Sequence, residues 1–151
     1  MRPKFDKHYG GMQCRLCLLR ENTVSEPVKI LNQSDVYDLV KEDLATSDRE
    51  VFISIMLTSK NHLIGVETLS MGSINEIILS PREVFKGSLL ANAVSIILCH
   101  NHPSGDVTPS QEDIRITKRL IKAGELIGIK VLDHLVISEK GYASLQEYCT
   151  F

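Results

Sequence analysis

Two histidines separated by one residue, His100 and His102, precede a serine and an aspartate separated by two, Ser110 and Asp113. In an extended chain, side chains two apart project to the same side, so both imidazoles can reach one point. Residues three apart on a helix also share a face, which sets Ser110 beside Asp113. A loop folding back between the two pairs would gather two imidazoles, a carboxylate and a hydroxyl at the end of a strand. That is the ligand set of a catalytic zinc, which takes three protein ligands and leaves a fourth position for water. The metal lowers the pKa of that water towards about 7, and a serine beside the ligands can hold it by hydrogen bond. With 5 histidines in 151 residues, H-x-H arises by chance roughly 0.16 times; adding the proline, serine and aspartate at their offsets lowers the expectation to on the order of 10⁻⁵.

The flanking sequence supplies elements to hold these groups. Residues 94–99 form a short apolar run bounded by polar residues, the pattern of a central strand, and a loop is expected from His100 to Thr108. Thr108-Pro109-Ser110-Gln111 reads as a capping box opening a helix, with Ile114, Thr117, Ile121 and Leu126 at core spacing and Gly128 as its stop. Upstream, Ser34 is expected to cap a helix carrying Val36, Leu39, Val40 and Leu44; residues 51–58 are β-branched and apolar, a buried strand, and residues 63–69 read as its hairpin partner. Ser80-Pro81-Arg82-Glu83 announces another helix, capped by serine, boxed by Glu83 and ending near Ala93, and residues 130–137 another strand. Alternating strands and helices with a hairpin among them predict an α/β fold, a mixed β-sheet flanked by helices.

The string His100-x-His102-Pro103 followed by Pro109-Ser110-x-x-Asp113 resembles the signature of the JAMM (MPN+) metalloproteases. The fuller wording from His100 to Asp113, with Pro81-Arg82-Glu83-Val84-Phe85 upstream and Leu132-Asp133-His134 downstream, resembles the bacterial RadC family of that superfamily, over roughly residues 28–148. The resemblance implies one zinc ion held by His100, His102 and Asp113, a water in the fourth position supported by Ser110, a cytidine-deaminase-like JAB/MPN fold, and hydrolysis of a peptide or isopeptide bond. It also implies a glutamate general base from an earlier strand. Glu50, at the start of the apolar strand, matches that pattern; Glu67 in the next strand is the competitor, and Glu83 is assigned to the helix cap. His134 is either a partner orienting a ligand or a core histidine, and stays off the site residues.

Composition narrows the alternatives. The 17 Lys+Arg against 19 Asp+Glu give a formal charge of −2, and the pI is about 6.2. That balance argues against a dedicated nonspecific DNA binder; a helix face with Arg115, Lys118, Arg119 and Lys122 is the one feature supporting a DNA-repair role. The resemblance implies a peptide or protein as the partner; composition disfavours direct nucleic-acid contact, and no membrane span and a cytoplasmic location are expected. Residues 1–27 read as an N-terminal arm and 28–151 as the hydrolase domain, whose length supports a core without a structural metal. Cys14 and Cys17 form a C-x-x-C pair with only His8 nearby, which is half a zinc site at most. A binding module that keeps the fold without turnover is the third possibility.

Overall fold

The computed structural model describes residues 28–72 and 79–151. The expected arm, with Cys14, Cys17 and His8, lies outside the described residues. Strand β1 (Val51–Leu57) is buried along its whole length because helices cover both its faces. Val51, Ile53, Ile55 and Leu57 pack with Val36, Val40 and Leu44 of α1 (Gln33–Leu44). On the other face, Phe52 and Met56 pack with Val84 and Phe85 of α2 (Pro81–Leu90) and with Leu120 and Ile121 of α3 (Gln111–Ile127). A short, continuously apolar run is the mark of a strand covered twice.

β1 pairs antiparallel with β2 (Leu63–Met71) on one side and with β3 (Ser95–Asn101) on the other. β3 runs parallel to β4 (Lys130–Ser138), and β5 (Gly141–Ser144) closes the sheet in the order β2-β1-β3-β4-β5. A parallel pair needs a crossover, and α3 provides it. This is the α/β architecture with a mixed, helix-flanked sheet that the sequence predicts. The turn between β3 and α3 therefore opens at the carboxyl end of a central strand, where open α/β sheets bind ligands.

Four local expectations are corrected. The cap of α1 is Asn32 rather than Ser34: its side chain accepts from the Asp35 N–H, and Asp35 accepts in return from the Asn32 N–H. α2 stops at Leu90, short of Ala93, because Asn92 takes a left-handed backbone (φ 53°). β3 runs through His100 and Asn101, so the loop begins two residues later than expected. Finally, Leu126 is 90% exposed; the buried face of α3 runs through Asp113, Thr117, Leu120, Ile121 and Gly124, and a residue five beyond Ile121 has rotated off it. Gly128 does end the helix, in the left-handed conformation that favours glycine (φ 81°).

Candidate metal centre

The site is built from a strand end, a helix start and the approach to β1. His100 is fully buried on the α3 side of β3, stacked on Phe52 with ring centroids 5.6 Å apart. His102 follows on the same side, and the two Nε2 atoms lie 3.0 Å apart. Phe52 is the register partner of His100. Glu50, two positions before Phe52, therefore shares its face. Asp113 reaches in from the first turn of α3, with Oδ1 3.4 Å from His100 Nε2 and Oδ2 3.5 Å from His102 Nε2. One ligand atom from each of Glu50, His100, His102 and Asp113 lies within 4.8 Å of all the others.

What holds Asp113 is its own helix cap. The cap of α3 is Ser110, not Thr108: Ser110 Oγ accepts from the Asp113 N–H, while its hydroxyl and backbone N–H both donate to Asp113 Oδ2, at 2.6 and 2.7 Å. Thr108 is withdrawn because its N–H closes a turn onto Asp106 Oδ1. The capping box thus consists of two residues predicted for the site, and it fixes the carboxylate with Oδ1 facing His100 and Oδ2 facing His102.

Hydrogen-bond partners decide which ring nitrogens carry protons. A carbonyl can only accept, so the Thr117 hydroxyl donates to the Asp113 carbonyl (2.6 Å) and must accept from His134 Nδ1–H (2.6 Å). Burial, and then the nearby His100 charge, push His134 well below its ordinary pKa. It is neutral, with a bare Nε2 that accepts from His100 Nδ1–H at 2.8 Å. His102 Nδ1–H likewise donates to the Asp106 carbonyl at 2.7 Å. With each Nδ1–H engaged in these bonds, the two rings turn their Nε2 atoms towards one another.

Such an arrangement needs positive charge between or upon the rings. Burial raises the Asp113 pKa, but hydrogen bonds to His100, His102 and Ser110 outweigh it and hold the carboxyl well below the usual range. The hydrogen bond to Asp113 raises His102 above its ordinary value, against the opposing effect of burial. A tetrahedral zinc with ligand bonds of 2.0–2.2 Å sets its donors about 3.3 Å apart. The spacings of 3.0 Å between the two Nε2 atoms and 3.4 Å from His100 Nε2 to Asp113 Oδ1 lie within a few tenths of an ångström of that edge, while the 3.5 Å contact to His102 is made by the other oxygen, Oδ2. The donor set fits a divalent metal ion.

Of the predicted residues, the structure gathers Glu50, His100, His102, Asp113 and, through the cap, Ser110. Glu67 lies elsewhere, beneath α2, with its carboxylate in the space left by the missing side chain of Gly87. Glu83 receives the Ser80 cap through its backbone, while its carboxylate pairs with Lys86 at 2.7 Å. The Arg115, Lys118, Arg119 and Lys122 side chains are exposed on α3. Thr117, read from spacing as core, and His134 emerge as the group that orients His100. No helix among the described residues is long and apolar enough to cross a membrane.

A family model described as RadC-like JAB domain matches residues 30–150. The chain is 53% identical over 112 residues to a UPF0758 protein of Desulforamulus reducens, covering 74% of this chain and 49% of that one. It is 43% identical over 139 residues to a UPF0758 protein of Desulfitobacterium hafniense, covering 90% and 61%. It is also similar to a UPF0758 protein of Methanosarcina barkeri, at 44% over 128 residues, 84% of this chain and 56% of the relative. The chain spans about half the length of the curated relatives it matches.

Proposed function

Since the chain belongs to the RadC-like JAB domain family, we propose that it is a zinc-dependent hydrolase of the JAMM type that cleaves a peptide or isopeptide bond. The observation that carries this reading is the convergence of Glu50, His100, His102 and Asp113 within 4.8 Å, with both imidazoles held in the tautomer that presents Nε2. His100, His102 and Asp113 would hold the ion, and zinc in such a site lowers the pKa of water and polarises a carbonyl oxygen. Glu50 takes the proton of the attacking water and delivers it to the leaving amine, the work of a general base turned acid. Ser110 supports the site through Asp113, whose Oδ2 its hydroxyl and backbone N–H both hold. A polar cleft of about 360 Å³ opens next to His102, between residues 45–47, 103–105 and 138–140. Of the cluster, His102 lines it, and a polypeptide lying there would reach the site at that residue.

Purified protein should bind one zinc ion per chain, and His100→Ala or Asp113→Ala should abolish binding in a chelator competition. Glu50→Gln should keep zinc and lose cleavage of whatever peptides or isopeptides the parent protein cleaves in a mixed library. Absence of zinc binding, or equal cleavage by Glu50→Gln, overturns the reading.

A further inference from the structure

Glu50 is carried on the last residues before β1, where β-ladder pairing would ordinarily fray. In this protein hydrogen bonds continue past the last ladder pair with β3, and they come from the residue between the two histidines. Side chains alternate along a strand, so Asn101 points away from the imidazoles, to the opposite face of β3, where it is almost completely buried. Its primary amide meets the chain on both sides of Glu50. Oδ1 accepts from the Val51 N–H at 2.7 Å, and Nδ2 donates to the Arg49 carbonyl at 2.9 Å and the Ser47 carbonyl at 3.5 Å.

The geometry is that of a side chain standing in for a strand. In extended backbone the carbonyl of the preceding residue and the N–H of the following one point to the same edge, and a residue's own carbonyl points to the other. The Arg49 carbonyl and Val51 N–H therefore face β3, where the Asn101 amide continues the ladder one step past the Phe52–His100 pair. The Glu50 carbonyl faces β2 and accepts from the Gly72 N–H at 2.8 Å. The backbone that bears the carboxylate is held from both edges.

We propose that Asn101 is a positioning residue that clamps the backbone on either side of Glu50 and so fixes that carboxylate over the pair of imidazoles. Its neighbours hold the metal ligands while its own amide holds the base, so the three consecutive residues set both halves of the site from one strand end. A fully paired amide at this position cannot be replaced by a smaller side chain without leaving a buried donor and acceptor open. The kinetic part of this proposal rests on the hydrolase reading; the structural part does not.

The test uses isotopically labelled full-length chain with zinc as the probe. In Asn101→Ala the Val51 amide should exchange at least about tenfold faster, with Ile53 and Ile55 unchanged. Zinc affinity should stay within about threefold of the parent, because His100, His102 and Asp113 keep their own supports. The Glu50 side-chain carbon resonance, expected to move on zinc addition in the parent, should move less than about half as far in the variant. Where a cleaved peptide is in hand, kcat should fall with KM held, and the double variant with Glu50→Gln should be no slower than Glu50→Gln alone. Should Asn101→Ala fail to fold, Asn101→Ser leaves room for a bridging water and carries the same comparison. Uniform acceleration of exchange across β1 and β3, loss of zinc, or additive kinetic losses overturns the clamp. If the parent protein cleaves nothing, the hydrolase reading falls, and exchange, affinity and the Glu50 resonance still decide the clamp.

Discussion

Replacing Thr117 by valine removes one hydroxyl and little else in shape, and it isolates the hydrogen-bond chain behind the metal ligands. The hydroxyl makes two contacts of 2.6 Å, to the Asp113 carbonyl and to His134 Nδ1, at a position with no solvent exposure. The Asp113 carbonyl has a second lone pair, so its loss is small. His134 Nδ1–H is left without a partner in a fully buried ring, which costs about 1–3 kcal/mol of stability in the metal-free protein. The second effect falls on the tautomer. Only while Thr117 accepts from His134 Nδ1 is the His134 Nε2 obliged to be bare, and only then is His100 obliged to place its proton on Nδ1 and its lone pair on Nε2. Valine removes that obligation, and His100 can carry its proton on the nitrogen that faces the proposed zinc.

Loss of such an orienting partner typically weakens a metal site by about 10–100-fold, equivalent to about 1.4–2.7 kcal/mol. Urea unfolding in the presence of chelator reads the first quantity, and competition with a chromophoric chelator reads the second. Thr117→Ser returns a hydroxyl to the same place and should recover most of both. If Thr117→Val loses stability as expected but binds zinc within about threefold of the parent, the chain does not orient His100 and the tautomer reasoning is wrong.

Other consequences follow from the packing and charge. A Cβ at Gly87 would lie 1.9 Å from Glu67 Oε2, but that atom ends a flexible side chain and has no hydrogen-bond partner among the described residues. Glu67 can swing outward, so Gly87→Ala should stabilise by about 0.5–1 kcal/mol through helix propensity, measured by chemical denaturation. The same substitution at Gly124 meets the Ile129 carbonyl at 2.5 Å and the Phe85 ring at 3.2 Å. Backbone cannot move aside as a side chain can, and the expected sign reverses, with a loss of about 1–3 kcal/mol; equal signs for the two variants would refute the distinction. For the metal-free protein, the Asp113 hydrogen bond raises His102 above its reference of 6.5. That contribution is complete below the unfolded pKa and is lost as pH rises through the higher folded value. Melting temperature in chelator should therefore fall across that window and zinc affinity should rise across it; Asp113→Asn should remove most of the fall, and a slope of the opposite sign in the parent would contradict the assignment.

The ligands were legible because local rules carry them: strand alternation aligns His100 with His102, and helix spacing sets Ser110 beside Asp113. The same locality misled where two short-range patterns competed. Thr108-Pro109 and Ser110 both qualify as the start of α3, and only the turn from Thr108 onto Asp106 decides for the serine. Choosing Glu50 over Glu67 as a neighbour of the imidazoles needs the register of β1 against β3, fixed by Phe52 opposite His100. Asn101 left no signal of its own, Thr117 read only as core, and His134 stayed open between core residue and orienting partner, because their contacts join residues 17 to 54 positions apart. An asparagine between two histidines looks like a spacer until the strand that it faces is known.

The charge of the cluster bears on whether the fold would tolerate loss of a bound metal. Glu50 and Asp113 bring two carboxylates to the cluster beside the two imidazoles, and one of the two carboxylates is almost fully buried. Left alone, buried like charges at this spacing would be expensive. A divalent cation supplies the missing charge from outside. Protons can supply part of it from within, since the lone pairs that would bind the ion are the same ones that take up protons, and Asp113 raises the affinity of His102 for one. A proton and a divalent cation would thus compete for the same lone pairs. The core on either side of the sheet needs neither, because its two apolar clusters close over β1 and β3 from α1 on one face and from α2 and α3 on the other. Removing zinc should accordingly exchange one counter-charge for another and leave the sheet intact. For that reason, variants of the orienting residues can be read as changes in the site and not in the fold.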